Sequence, residues 1–141
     1  MSYTHSITVK LAWADAVQRT REALAGQGFG ILSEIDVRST FEEKLGPDAA
    51  DAVGDYVILG ACNPGLASRA LAGEPTLGAL LPCNVVVRRA LDASETTIDV
   101  IDPQTMVQLS DSAAVREVAD DAEARLQKAL ALLGAAGTSS D

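Results

Sequence analysis

The sequence predicts an α+β domain with a mixed β-sheet of about five or six strands, helices packed on that sheet and a long C-terminal helix. Three observations predict this class. Short apolar segments with the period of a strand alternate with segments that have the period of a helix. Residues 84–91 and 96–101 flank a short Asp-Ala-Ser turn and indicate a hairpin, which favours a mixed sheet over a parallel one. The longest amphipathic segment lies near the C-terminus.

The first half of the chain is predicted to contain three strands and two helices. Residues 6–11 place Ile7 and Val9 on one face, as a half-buried strand requires. The YVILGA run is continuously apolar, as expected of a central strand buried on both faces, and its glycine suggests close backbone approach. The other elements are a strand at 29–37, a helix at 14–25, a short capped helix from Ser39 or Thr40 to Leu45, and loop or frayed helix at 46–55.

The second half is predicted to contain a short helix, the hairpin and the long helix. Asn63 is a good helix cap, Pro64 suits the first helical position and Gly73 suits the stop. The long helix is predicted to begin after a cap at Ser110 or Asp111 and to end at Leu133, with Gly134 as the stop. Residues 1–136 therefore form one predicted domain, and residues 137–141 form a loose tail.

Composition excludes several classes of function. The formal charge is −9, from 20 acidic and 11 basic residues. Such a surface repels phosphate backbones and anionic lipids, so nucleic-acid and membrane partners are not expected. No apolar run approaches the roughly 20 residues of a membrane span, and the N-terminus does not have the pattern of a secretion signal. Two cysteines in such a chain indicate reduced thiols and a cytoplasmic location.

Two Cys-Asn pairs are the most distinctive candidates for chemistry. Cys62-Asn63 and Cys83-Asn84 each lie at a predicted strand boundary, and all four residues are predicted to bind ligand. Cys62 directly precedes a predicted helix, whose N-terminal partial charge favours a thiolate, so Cys62 is also the candidate nucleophile. Packing alone is the stronger explanation of both cysteines, because free cysteine often packs as a small buried hydrophobe.

If folding brings Cys62 and Cys83 together, three arrangements remain open: a reversible disulfide, a two-thiolate site for a soft metal, or a sulfur-relay pair. Two thiolates alone do not complete a structural zinc site, which takes about four ligands. His5 is the only histidine and is interpreted as a solvated strand residue. Sequence templates for hydrolases and for phosphate-binding loops are not found, since the glycine-rich residues 26–30 follow a helix and precede a strand.

Five segments together resemble the bacterial domain of unknown function 302 family. They are QGFGILSEID at 27–36, TFEEKL at 40–45, YVILGACNPGLASRAL at 56–71, GALLPCNVVVR at 78–88 and the later Ile101-Asp102-Pro103. The resemblance covers nearly the whole chain. It implies a small α/β protein that forms a homodimer, and it ranks Cys62 and Cys83 first, because they match the hallmark positions of the family. It supplies no reaction.

Three functions follow from these observations. The preferred one is a binding or regulatory module, in which Cys62, Asn63, Cys83 and Asn84 hold a small ligand or a soft metal such as copper(I). The second is a thiol or sulfur-transfer enzyme with Cys62 as nucleophile. The third is a homodimeric structural module without catalysis.

Overall fold

The computed structural model describes residues 2–138, and within them five strands form one sheet. The spatial order is β1-β5-β4-β3-β2, and each neighbouring pair is antiparallel. The strands are β1 (Thr4–Val9), β2 (Gly30–Asp36), β3 (Asp55–Cys62), β4 (Cys83–Arg89) and β5 (Thr96–Ile101).

Helices occupy most of the remaining described chain. They are α1 (Trp13–Gly26), α2 (Val37–Leu45), α3 (Pro47–Val53), α4 (Pro64–Gly73), α5 (Gln104–Leu109) and α6 (Ala113–Thr138), with a 3-10 helix at Pro75–Leu80 between α4 and β4. The α+β class and the long C-terminal helix are therefore confirmed. In residues 2–138, none of the helices has both the length and the apolar character needed to cross a bilayer.

The predicted mixture of parallel and antiparallel pairs is not observed. The strand–helix–strand order of β1, α1 and β2 would suit a parallel crossover, but β1 and β2 lie at opposite edges of the sheet and do not pair. Each strand pairs only with neighbours that run in the opposite direction. Sequence periodicity defines a strand but not its partner, so it could not exclude the parallel pairing.

Three helix ends differ from the sequence predictions. The long helix begins at Ala113, and Ser112, whose Oγ accepts from the Val115 amide at 3.4 Å, precedes it in place of the predicted cap Ser110 or Asp111. The cap of α2 is Asp36, whose side chain accepts a hydrogen bond from the Ser39 amide at 3.0 Å, so the predicted capping box is not used. The long helix continues through Gly134 to Thr138, and its predicted end at Leu133 is wrong. A glycine inside a helix costs only about 1 kcal/mol relative to alanine, and alanines follow it here. Residues 137 and 138 thus belong to α6, and the rest of the predicted tail, 139–141, lies outside the described residues.

The buried side chains form two clusters that adjoin at one end of β3 and β4. The first lies between the sheet and helices α1 and α6, with Leu59, Ile98 and Leu126 fully buried. The second joins α4, α5 and the N-terminal part of α6, with Leu66 and Met106 among its members. The predicted close approach at Gly60 is also present, because a Cβ atom there would collide with Ser33 and Pro82.

Candidate functional site

The two cysteines lie at the same end of neighbouring strands. Ala61 of β3 pairs with Cys83 of β4, and Cys62 is the next residue along β3 and its last. Both thiols are free. Cys83 is buried on the helix-covered face beside Val85, whereas Cys62 is half-buried, so solvent has better access to Cys62. Folding therefore places two cysteines that are 21 positions apart in the sequence at the same end of the sheet.

Cys62, Asn63 and Cys83 line one cavity between the two core clusters. Its volume of about 30 Å³ is enough for one or two waters or a single ion. Organic ligands occupy pockets of roughly 300–1,000 Å³, so this cavity accommodates no organic molecule without opening. The other lining residues are all apolar: Phe29, Ala61, Leu66, Ala67, Ala70, Leu77, Leu81, Pro82, Met106, Val118 and Ala122.

Asn63 fixes the start of α4 beside the cavity. Its Oδ1 accepts a hydrogen bond from the Leu66 amide at 3.1 Å, which satisfies one of the free amides of the helix N-terminus. Its Nδ2 lies against Gly28, where φ is +87° and a Cβ atom would come within 2.9 Å of that nitrogen. The predicted capping role is confirmed, and the close contact explains why a glycine occupies position 28.

Substitution of this cap has a predictable effect on stability. Replacing Asn63 by alanine is expected to lower the free energy of unfolding by about 1 kcal/mol, because the Leu66 amide loses its acceptor. Asn63→Asp retains an acceptor oxygen and serves as the matched control. Urea unfolding followed by circular dichroism measures both. Equal losses in the two variants would contradict a capping role.

Asn84 is not part of this cavity. Along β4 the side chains alternate, with Cys83, Val85 and Val87 buried and Asn84 exposed. Consecutive strand residues point to opposite faces of a sheet, so Asn84 lies on the face away from Cys83. Of the four predicted binding residues, the structure brings together three.

Burial strongly affects the acidity of Cys83. Removal from water raises the pKa of its thiol from the ordinary 9.0 to about 11, and the nearby charge of Cys62 adds to the effect. Cys83 is therefore a neutral thiol at physiological pH. A nucleophile must be a thiolate, so in this state Cys83 is not suited to nucleophilic catalysis. It can still become a metal ligand if the ion displaces its proton.

Met106 is a sulfur-bearing residue of the cavity that sequence reasoning missed. It lies on α5, is buried and contributes to the lining together with the two cysteines. A thioether is a soft ligand of the kind that copper(I) selects. No local pattern identified it, because the short helix α5 follows an Asp-Pro break and only the tertiary fold brings it to β3 and β4.

The family of the chain can be established directly. A model of the Domain of unknown function DUF302 matches residues 5–133. The chain belongs to the DUF302 family. The match includes Cys62, Asn63, Cys83 and Met106, so the whole cavity lies within the family domain. The predicted resemblance is confirmed.

A solved DUF302 structure has the same fold. It is the crystal structure of an uncharacterized conserved DUF302 protein from Bacillus stearothermophilus, with a TM-score of 0.80 and 29% sequence identity. The similarity covers 92% of this chain and 97% of that one. No curated protein matches the sequence.

Proposed function

We propose that this DUF302 domain is a soft-metal-binding module that holds one copper(I) ion with the thiolates of Cys62 and Cys83. The observation that carries the proposal is that the two cysteines and Met106 line a single cavity. Thiolate and thioether sulfurs are the ligands that favour copper(I) over the harder divalent cations.

The size of the cavity supports an ion rather than an organic ligand. A volume of about 30 Å³ is an order of magnitude below that of organic-ligand pockets, and haem would require a far larger opening. Zinc in a structural site takes about four ligands, whereas only three residues with sulfur line the cavity and the other lining residues, apart from Asn63, are hydrocarbon. A monovalent soft ion suits this lining best.

The apolar surroundings also favour a low charge. A buried ion is costly unless nearby groups neutralise it, and one copper(I) ion needs less compensation than a divalent cation. Two thiolates around copper(I) leave one negative charge, which the N-terminus of α4 directly after Cys62 would help to stabilise. We further propose a cytoplasmic location, where reducing conditions keep both thiols free.

The decisive experiment is an anaerobic copper(I) titration of reduced, metal-free protein in competition with a chromogenic copper(I) chelator. One equivalent is expected to bind. Cys62→Ser and Cys83→Ser should each weaken binding at least tenfold, because each removes a thiolate, and Met106→Leu should weaken it less. Asn84→Ala is the matched control, since Asn84 lies on the other face of the sheet. Failure of the wild type to compete, or unchanged binding by Cys83→Ser, would exclude the proposal.

A thiol or sulfur-transfer enzyme is the second candidate. The observation in its favour is that Cys62 is half-buried and directly precedes the cap of α4, beside the helix end that carries partial positive charge. In this function Cys62 would act alone, because Cys83 keeps its proton. The homodimer implied by the resemblance stays a prediction.

A further inference from the structure

A second group of potential ligands lies away from the cysteine cavity and shares no residue with it. His5 of β1, Asp102 at the end of β5 and Glu123 of α6 present one nitrogen and two carboxylate oxygens within 4.8 Å of one another. His5 Nε2 is 3.5 Å from Asp102 Oδ2 and 3.6 Å from Glu123 Oε1. All three residues are half-buried.

His5 is not the solvated residue that the sequence suggested. Its Nε2 atom is buried and has no hydrogen-bond partner among the described residues. Buried polar atoms are nearly always satisfied, so an unpaired nitrogen that faces two carboxylates requires an explanation. A cation between the three groups would use the lone pair of Nε2 and neutralise the two adjacent negative charges.

The separations of His5 Nε2 from the two carboxylates fit a tetrahedral metal ion. Zinc lies about 2.1 Å from nitrogen and oxygen ligands, and two ligands of a tetrahedron are then about 3.4 Å apart. The two measured separations from Nε2, 3.5 and 3.6 Å, are close to this value. Imidazole is a poor ligand for calcium and magnesium but suits zinc and its neighbours in the first transition row.

The neighbouring residues orient two of the three ligands. Asp102 Oδ1 accepts a hydrogen bond from the Gln104 amide at 2.9 Å, which leaves Oδ2 directed at His5. The side-chain amide nitrogen of Gln127, Nε2, lies 3.2 Å from His5 Nδ1. If the Gln127 side-chain amide is rotated by 180°, its oxygen takes the place of its nitrogen and accepts a hydrogen bond from His5 Nδ1–H. The Nε2 atom of His5 then carries no proton and is free to bind metal. Such outer hydrogen bonds are typical of metal-binding histidines.

We propose that His5, Asp102 and Glu123 form a binding site for a divalent transition-metal cation, best suited to zinc, with the fourth position open to water. The site joins the edge strand β1 to β5 and α6. Bound metal would therefore also tie the N-terminal strand to the C-terminal helix. The chain's net charge of −9 favours the approach of a cation.

The test is a calorimetric zinc titration of the full chain carrying Cys62→Ser and Cys83→Ser, which cannot bind zinc through thiolates. One equivalent is expected to bind. Glu123→Gln and His5→Gln should each weaken binding at least tenfold. Glu117→Gln, which removes the same charge from an exposed position of α6, should leave the affinity within about twofold.

Any result other than these would exclude the proposed zinc site. Absence of zinc binding does so, as does equal binding by Glu123→Gln and Glu117→Gln. Absence of binding together with a lower melting temperature of Glu123→Gln would identify an ion pair of protonated His5 only. If the double serine variant does not fold, the zinc affinities of Glu123→Gln and Glu117→Gln are compared in the otherwise wild-type chain. Weaker binding by Glu123→Gln alone would support the site, and equal binding would exclude it. The copper(I) titration involves none of these residues, so either proposal can fail without the other.

Discussion

Replacing Gly54 by alanine is expected to lower the free energy of unfolding by about 3 kcal/mol or more. Gly54 has φ +71° and ψ −158°, a backbone conformation that is essentially restricted to glycine. A Cβ atom there would lie 2.6 Å from the Arg89 carbonyl oxygen and 3.0 Å from the Ala90 Cα atom. Both are backbone atoms, so neither can move aside by a simple change of rotamer.

Gly134→Ala is the matched control for this substitution. Gly134 lies within α6 and does not have a positive φ, and a Cβ atom added to it would meet nothing within 4 Å apart from the backbone of its own helix. Alanine there should raise stability by up to about 1 kcal/mol, because alanine is the better helix former. Chemical denaturation of both variants measures the difference. A Gly54→Ala protein as stable as the wild type would contradict the steric argument.

Gly54 also matters for the site, although it is remote from the cavity. It directly precedes β3, whose pairing with β4 begins where Asp55 lies opposite Arg89. The same pairing ends where Ala61 lies opposite Cys83, and Cys62 follows. A shift of the β3–β4 pairing at Asp55 and Arg89 is therefore expected to disturb the relative positions of Cys62 and Cys83 at the other end of the two strands.

Local signals identified the elements that carry the cysteines. The apolar run before Cys62 was sufficient to predict β3, and Asn63-Pro64 was sufficient to predict the start of α4. Asn84 was predicted to belong to the site because it follows Cys83 at a predicted strand boundary, as Asn63 follows Cys62. The strand begins one residue earlier than predicted, at Cys83, and the alternation of side chains then separates Cys83 from Asn84.

For the His5 cluster, the sequence indicated the partial burial of His5 but not the identity of its partners. His5 is in phase with Ile7 and Val9, which face the core, so its alternation already indicated that it is not fully solvated. Its partners Asp102 and Glu123 are 97 and 118 positions away in the sequence and come near it only through the β1–β5 pairing and the packing of α6. A single sequence does not show which residues are in contact, so it gives no reason to select Asp102 and Glu123 among the 20 acidic residues.

Alkaline pH is expected to destabilise the protein through Cys83. The pKa of this thiol is about 11 in the folded chain, against an ordinary 9.0 that applies when the chain unfolds. Between these two values the unfolded chain loses its thiol proton while the folded chain keeps it. The stabilising contribution is therefore fully present below pH 9 and is lost as the pH rises towards 11. The linkage relation gives a loss of about 2 kcal/mol by pH 10.5.

Comparison with Cys83→Ala isolates this effect from tyrosines and lysines, which titrate in the same range. The free energy of unfolding is measured by urea denaturation at pH 8 and pH 10.5. The wild type should lose about 2 kcal/mol more than Cys83→Ala between these pH values. Cys62→Ala retains the buried thiol and should behave nearly like the wild type, because burial is the larger cause of the raised pKa. If Cys83→Ala lost as much stability as the wild type, the Cys83 thiol would not be shielded from water in the folded chain, which would contradict the burial that raises its pKa.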